Sequence, residues 1–328
     1  MAEWLYEHGI GERRAALVED GAITAIGIER DSDGVRAGAV VSAKLTAERA
    51  GDSAIVMLDN GEEAICSALP RMLAHGASLL VEISRSAIPE ADLVKRAKCR
   101  PAADDAGLSS GPDLLARISA TGIAVRTLAA HQTDNLEAAG WSEALYEAAS
   151  GLMPFDGGIL RMNLTPAMTV FDVDSTLPAP ALALAGARAA AVAIHRLDIA
   201  GSIVIDLPTL ANKAERVAVA EALDAALPPP FERTAINGYG LLQIIRRRVR
   251  QSIAERVQLS RVESAALAAL RRAERASGIG ALTLVLNPAV AAWLEAHPQH
   301  LAELAKRTAR QPHLRGEPGR AMGALDVS

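Results

Sequence analysis

Met168-Thr-Val-Phe-Asp-Val-Asp174 and, one helix-length later, Ser202-Ile-Val-Ile-Asp206 are the stretches that decide the fold of this chain. Each is a short apolar run that ends in a carboxylate, and such a run predicts a buried strand. A carboxylate is costly to bury without a partner, so its place at a strand end favours a role other than packing. Asp172 and Asp174 are two residues apart and therefore share one face of the predicted strand.

These carboxylates predict a cation site. Asp206 is expected to return beside Asp172 and Asp174 on a neighbouring strand. Three carboxylates at strand ends offer the oxygen ligands that Mg²⁺ prefers, and this metal suits phosphoryl-transfer chemistry on nucleic acid. The competing interpretation is that each aspartate is a helix N-cap or a turn former, which explains any one of them equally well.

The surroundings of the three aspartates resemble the ribonuclease E/G family. The resemblance covers most of the chain, is strongest from residue 157 to residue 248, and depends on segments in the family's order. These are Glu12-Arg-Arg-Ala-Ala-Leu-Val-Glu-Asp-Gly21, Leu164-Thr-Pro-Ala-Met-Thr-Val-Phe-Asp-Val-Asp-Ser175, His195-Arg-Leu-Asp-Ile-Ala-Gly201, Ser202-Ile-Val-Ile-Asp206 and Ile236-Asn-Gly-Tyr-Gly-Leu-Leu-Gln-Ile-Ile-Arg-Arg-Arg248.

The resemblance implies an α/β (α+β) protein. A ribonuclease-H-like domain is interrupted by an OB-fold barrel, and a DNase-I-like catalytic domain and a small C-terminal α/β segment follow. The pattern of strands, helices and turns agrees with an α/β domain from residue 157. The expected boundaries are 1–36 and 101–150 for the two parts of the ribonuclease-H-like domain, 37–100 for the barrel, 151–258 for the catalytic domain and 259–328 for the closing segment.

The chemistry that the resemblance implies is cleavage of single-stranded RNA by a Mg²⁺-dependent endoribonuclease. Asp172 and Asp206 stand at the metal-binding positions, and Asp174 stands where the family usually has an asparagine. Gly238 and Gln243 replace an arginine and a glutamate that are common in the family. These departures keep an alternative open, namely a catalytically weak or inactive RNA-binding or ribosome-associated protein, and a metal-dependent nuclease acting on DNA is a third possibility.

The charge and the aromatic content do not indicate a broad nucleic-acid-binding surface. The net charge is −5, aromatic residues make up 3% of the chain, and single-strand binders usually stack bases on aromatic side chains. The expected RNA-binding residues therefore lie in two local basic clusters. They are Lys95, Arg96 and Lys98 near the end of the predicted barrel, and Arg246 and Arg248, which the resemblance places on the helix that follows the last motif. A solvated helix face is the competing interpretation of the second cluster.

Cysteine usage and hydropathy lead to expectations about assembly and location. Cys66 and Cys99 form no CxxC pair and are expected to be ordinary buried thiols. The family's zinc-binding C-P-x-C link is replaced by Arg256-Val-Gln-Leu-Ser260, so no zinc-linked dimer is expected and the oligomeric state stays open. No apolar run reaches membrane-spanning length and no signal-like leader opens the chain, which predicts a soluble cytoplasmic protein with no membrane partner.

Overall fold

The computed structural model describes residues 1–46, 50–70, 73–90, 93–130 and 132–328. The strands are β1 (Glu3–His8), β2 (Glu12–Glu19), β3 (Ala22–Arg30), β4 (Val40–Leu45), β5 (Ala54–Leu58), β6 (Glu63–Cys66), β7 (Ser78–Arg85), β8 (Ile88–Pro89), β9 (Val94–Lys95), β10 (Ala97–Pro101), β11 (Val125–Leu128), β12 (Leu152–Phe155), β13 (Gly158–Leu164), β14 (Thr169–Asp174), β15 (Gly201–Asp206), β16 (Glu232–Arg233), β17 (Leu241–Arg246), β18 (Leu282–Leu286), β19 (Pro312–Gly316) and β20 (Asp326–Val327). The helices are α1 (Leu114–Ser119), α2 (Asn135–Ala138), α3 (Trp141–Ser150), α4 (Ala179–Arg196), α5 (Lys213–Ala226), α6 (Ile253–Leu259), α7 (Arg261–Glu274), α8 (Pro288–Ala296) and α9 (Pro298–Thr308).

The chain forms two compact units. The first unit contains residues 1–32, 118–145 and 256–328, and the second contains residues 33–117 and 146–255. The closing segment expected at 259–328 thus belongs to the same unit as the opening strands. The segment expected at 151–258 falls, up to residue 255, in the same unit as the barrel. No helix among the described residues is long and apolar enough to cross a membrane.

The first unit contains a sheet in the order β11-β1-β2-β3. β1 and β2 pair antiparallel, as do β2 and β3, whereas β1 pairs in parallel with β11, with Trp4 opposite Val125. The opening strands therefore pair with a strand formed after residue 101, as the sequence predicts for a domain that is interrupted by an inserted barrel.

The end of the chain adds a second, smaller sheet to the first unit. Its strand order is β19-β18-β20, and α7, α8 and α9 accompany it. The amphipathic pattern that begins at Val262 forms α7, whose Leu267 and Leu270 are buried in one cluster with Leu284 of β18 and Leu294 of α8. Burial of such leucines stabilises the fold by about 1.5–3 kcal/mol each.

The barrel lies in the second unit. Among the described residues, five strands close in the order β10-β6-β5-β4-β7, and β10 also pairs with β7. Side chains alternate between the interior and the solvent, so Val56, Val81 and Ile83 fill the core. Cys66 and Cys99 are register partners on β6 and β10, and both are free and buried, as the sequence predicts.

A mixed sheet in the second unit positions the carboxylates. Its strand order is β12-β13-β14-β15-β17-β16, and β14 and β15 are parallel because α4 connects them. Phe171 of β14 and Ile205 of β15 are fully buried. A Cβ added to Gly186 of α4 would lie 2.4 Å from Val173 Cγ1, so this glycine permits the close approach of α4 to β14. One face of the sheet is therefore covered.

Candidate carboxylate site

Asp172 and Asp206 are direct register partners on β14 and β15. Neighbouring strands lie about 4.8 Å apart, and residues at matching positions point to the same face of a sheet. Because Phe171 and Ile205 occupy the covered face, the two carboxylates lie on the opposite face, where Asp172 is half-buried and Asp206 is exposed. The structure thus places the two strand-end aspartates side by side on neighbouring strands.

Neither carboxylate has a hydrogen-bond or ion-pair partner within the part of the chain that the structure describes. Like charges directly opposite each other on neighbouring strands are destabilising. A cation between them removes this repulsion. The repulsion between Asp172 and Asp206 thus lowers the stability of the fold unless a cation binds between them.

Asp174 is in a different situation from the other two aspartates. It lies on the same face, but Arg161 Nε of β13 donates to its Oδ2 at 2.6 Å, and both side chains are 50% exposed. Within the described ranges, no three His, Cys, Asp or Glu side chains are grouped closely enough to hold a metal ion. The structure therefore contains a pair of carboxylates with an ion-paired neighbour, not the three-carboxylate cluster that the sequence predicts.

The donor set of the pair is compatible with Mg²⁺. This ion keeps several of its waters and commonly takes only one or two carboxylates from the protein, with phosphate oxygens of the substrate completing its shell. Asp172 and Asp206 supply two hard oxygen ligands on an accessible face. They are the residues that would hold the ion.

The open face of the sheet extends well beyond the two carboxylates. Residues in register with Asp172 and Asp206 form one row across the strands. Residues two positions away along each strand form a second row. The first row contains Leu152, Arg161, Asp172, Asp206 and Leu241, and the second contains Asn163, Val170, Val204 and Gln243. Leu152 and Leu241 are 37% and 39% exposed, so apolar surface flanks the charged residues on both sides.

The turn before β17 is held against the end of β15. Asn237 Oδ1 accepts from the backbone amides of Tyr239 and Leu241 at 2.9 and 3.0 Å, and Leu207 N donates to Gly240 O. A Cβ on Gly240 would lie 2.0 Å from Leu207 O, so only glycine fits there. The backbone that carries Tyr239 is thus held against the end of β15, while the side chain of this tyrosine is 83% exposed. The residues Asn237-Gly-Tyr-Gly240 form this turn, and no sequence signal assigned a role to the ring.

Gly238, by contrast, is not required by the backbone. No atom lies within 4 Å of the position that its Cβ would take. A larger residue at this site is sterically allowed, so the absence of the arginine that the resemblance implies is not imposed by the shape of the turn.

The first cluster of predicted RNA-binding residues lies at the end of the barrel. Lys95 pairs with Glu90 and donates to Pro166 O at 3.2 Å, and Arg96 Nε lies 2.6 Å from Glu63 Oε2. Lys98 is exposed and has no ion pair among the described residues. Of the three residues, Lys98 alone presents an uncompensated charge.

The second cluster does not lie on a helix, contrary to the prediction. Arg246 is the last residue of β17, where the alternation of Leu242 and Ile244 continues the sheet. Its Nη1 donates to Ile199 O at 3.0 Å, and burial lowers the pKa of its guanidinium. Arg248 pairs with Glu255. Both arginines are engaged with the protein itself.

Comparison of the sequence with protein-family models and with curated proteins gives no match. The resemblance to the ribonuclease E/G family therefore stays a prediction, and a functional assignment depends on the geometry of the site.

Proposed function

We propose that this protein is a Mg²⁺-dependent endoribonuclease that cleaves single-stranded RNA at the Asp172–Asp206 pair. The observation that carries the proposal is the direct register pairing of two accessible carboxylates with no partner among the described residues. A structural explanation of these aspartates as helix caps is not needed, because the N-cap of α5 is Asn212, and Pro178 precedes α4.

The residues of the site have different roles. Asp172 and Asp206 would hold the ion on the open face of the sheet, where a phosphodiester has access. Mg²⁺, when bound, lowers the pKa of a coordinated water and stabilises negative charge on phosphate. Arg161 neutralises Asp174, so the third carboxylate repels an incoming phosphate less than a free one does.

RNA as the substrate is supported by the barrel of the second unit and by the opening sheet of the first unit. A closed five-stranded barrel among the described residues is the architecture expected of an OB-type module, whose common ligand is single-stranded nucleic acid. The pairing of β1 with β11 supports the interrupted ribonuclease-H-like domain that the resemblance implies. Exposed Tyr239 offers one aromatic ring for stacking a base near the carboxylates.

The proposal is tested with fluorogenic single-stranded RNA in the presence of Mg²⁺. Asp172→Asn and Asp206→Asn each remove one negative charge at constant size, and we expect cleavage to fall at least about a hundredfold because a metal ligand is lost. EDTA is expected to abolish cleavage by the wild type. Asp105→Asn, in an exposed loop, is the matched control and should cleave normally.

Full activity in both site variants would refute the assignment. A DNA oligonucleotide of the same sequence separates RNA cleavage from general nuclease activity, and equal rates on both would contradict the choice of substrate.

A second candidate function is RNA binding without turnover. The pairing of Asp174 with Arg161 favours it, because this residue is then not free to position a water or a metal. This function predicts affinity for RNA that falls with rising salt and is the same in wild type and Asp206→Asn, with no product formed under any metal condition.

A further inference from the structure

A cavity of about 280 Å³ opens beside the carboxylate pair. Its lining consists of Val204, Thr234, Ala235, Asn237, Leu241 and Gln243. Leu241 is the register partner of Asp206, and Gln243 is the partner of Val204, two residues further along β15. Two residues of a strand span about 7 Å, so the cavity begins next to the carboxylates and extends away from them by a nucleotide-sized distance.

The lining has a distinct chemical character. Val204 and Leu241 contribute apolar side chains, and no charged residue is among the described residues that line the cavity. Asn237 Oδ1 is occupied by two backbone amides, which leaves its Nδ2 to donate. The side-chain amide of Gln243 is exposed and has no hydrogen-bond partner in the described residues. The cavity therefore presents the Gln243 amide, with a donor and an acceptor, together with the Asn237 amino group and the Thr234 hydroxyl, beside the apolar side chains of Val204 and Leu241.

These properties match a neutral planar heterocycle better than a phosphate. A glutamine amide recognises adenine with two hydrogen bonds, one donated to a ring nitrogen and one accepted from the exocyclic amino group. Proteins that read single-stranded RNA bind unstacked bases in this way. We propose that the cavity binds an adenine base next to the cleaved phosphodiester and that Gln243 determines this preference. The inference rests on the proposed ribonuclease function.

A second cavity, of about 320 Å³, indicates where the RNA backbone continues. It shares Ala235 with the first cavity, and Lys213, Arg216, Arg233 and Glu221 also line it. Arg233 is bound to Asp224, and Arg216 donates to Leu210 O. Lys213 is exposed and has no partner in the described ranges, so its ammonium group is available to a phosphate that neighbours the bound adenine.

The test uses oligouridine strands that carry a single adenine, cytosine or guanine, with the cleavage positions mapped. The wild type should cut next to the adenine roughly tenfold faster than within the uridine tract. In Gln243→Glu the amide donor is replaced by an acceptor, so the hydrogen bond to the adenine ring nitrogen is lost and the preference for the single adenine should disappear. In Gln243→Leu the cuts should be spread evenly.

The matched control is Gln299→Glu, the same charge change at an exposed position of α9, which should keep the adenine preference. Binding of the same strands to Asp206→Asn, measured by fluorescence anisotropy, repeats the comparison without turnover. Cleavage with no base preference, or a preference that Gln243→Glu leaves unchanged, overturns the adenine site and leaves the ribonuclease assignment intact. Absence of both cleavage and binding overturns both.

Discussion

Carboxylates on two sheets of this protein have opposite surroundings. On the opening sheet, Glu7 and Glu12 are buried, and each is neutralised by arginine. Arg14 donates to Glu7 through two nitrogens at 3.2 Å, whereas Arg30 and Arg271 donate to Glu12 at 3.0 and 2.6 Å. Burying these two charges is tolerated because both carboxylates meet guanidinium groups.

On the sheet of the second unit, Asp172 and Asp206 face each other across neighbouring strands with no cation among the described residues. The same chain thus pairs the buried Glu7 and Glu12 with arginines and leaves a like-charged pair where solvent and ligands have access. The difference separates carboxylates that maintain the fold from carboxylates that are available to bind something, and it is open to direct experiment.

The largest expected effect comes from Glu12→Gln. This change leaves Arg271 buried without its carboxylate and weakens the contact that Arg30 makes with residue 12. The free energy of unfolding of the first unit should therefore fall by about 3–5 kcal/mol. All three tryptophans, Trp4, Trp141 and Trp293, lie in this unit. Their fluorescence in urea therefore reports its unfolding.

Glu19→Gln, at the exposed end of the same strand, is the control and should change stability by less than about 0.5 kcal/mol. Equal stability of the two variants would show that the buried network contributes nothing net to the fold.

Acidification should affect the stability of the two sheets differently. The expected change is smaller than that caused by Glu12→Gln. Burial alone would raise the pKa of Glu12, but Arg271 and Arg30 outweigh it and hold the pKa below its usual value of 4.5. Because the folded-state pKa is lowered, the contribution of Glu12 is complete above pH 4.5 and is lost as the pH falls through the lower folded value. Tryptophan fluorescence in urea should therefore show destabilisation of the first unit below pH 4.5.

In Glu12→Gln this acid dependence should be weaker, because the titrating group is gone. Asp134 is still present in this variant, and Arg14 lowers its pKa although burial acts in the opposite direction. Part of the acid dependence should therefore remain. A wild-type stability that is constant on acidification would contradict the pairing.

The smallest expected effect is a gain in stability instead of a loss. Without divalent cations, Asp206→Asn should stabilise the protein by about 0.2–1 kcal/mol, because it relieves the repulsion with Asp172. Asp174→Asn, which breaks the exposed pair with Arg161, should instead cost between about 0 and 1 kcal/mol. Thermal unfolding followed by circular dichroism compares the two.

Added Mg²⁺ should raise the melting temperature of the wild type, because a ligand that binds only the folded state stabilises it. It should not raise that of Asp206→Asn. Equal shifts in both proteins would mean that the ion binds elsewhere.

Much of the architecture was predictable because it depends on local patterns. The apolar runs that end at Asp174 and Asp206, with an alanine-rich helix between them, predict parallel neighbouring strands, and β14 and β15 are parallel neighbours. The short strands expected between residues 37 and 100 resemble an OB-fold barrel, and the described strands form a closed barrel. Such features follow from the two-residue period of strands and from the length of one crossover helix.

The details of the candidate site depend on contacts that no local pattern contains. Arg161 reaches Asp174 because the β13–β14 hairpin sets their register. The resemblance places Arg246 on a helix, but its run of residues pairs with β15 as a strand, in which Leu242 and Ile244 are buried.

The sequence by itself determined which carboxylates end the two strands and which segment contains the short strands of a barrel. It also determined which residue types are available to bind a metal. Only the tertiary structure decided that two of the three aspartates are left without a partner among the described residues, that the third is neutralised by Arg161, and that Gln243 lines a cavity beside them. The reason is physical, because strand register and helix packing bring together groups that are distant along the chain, and the free energy of each charge depends on those neighbours.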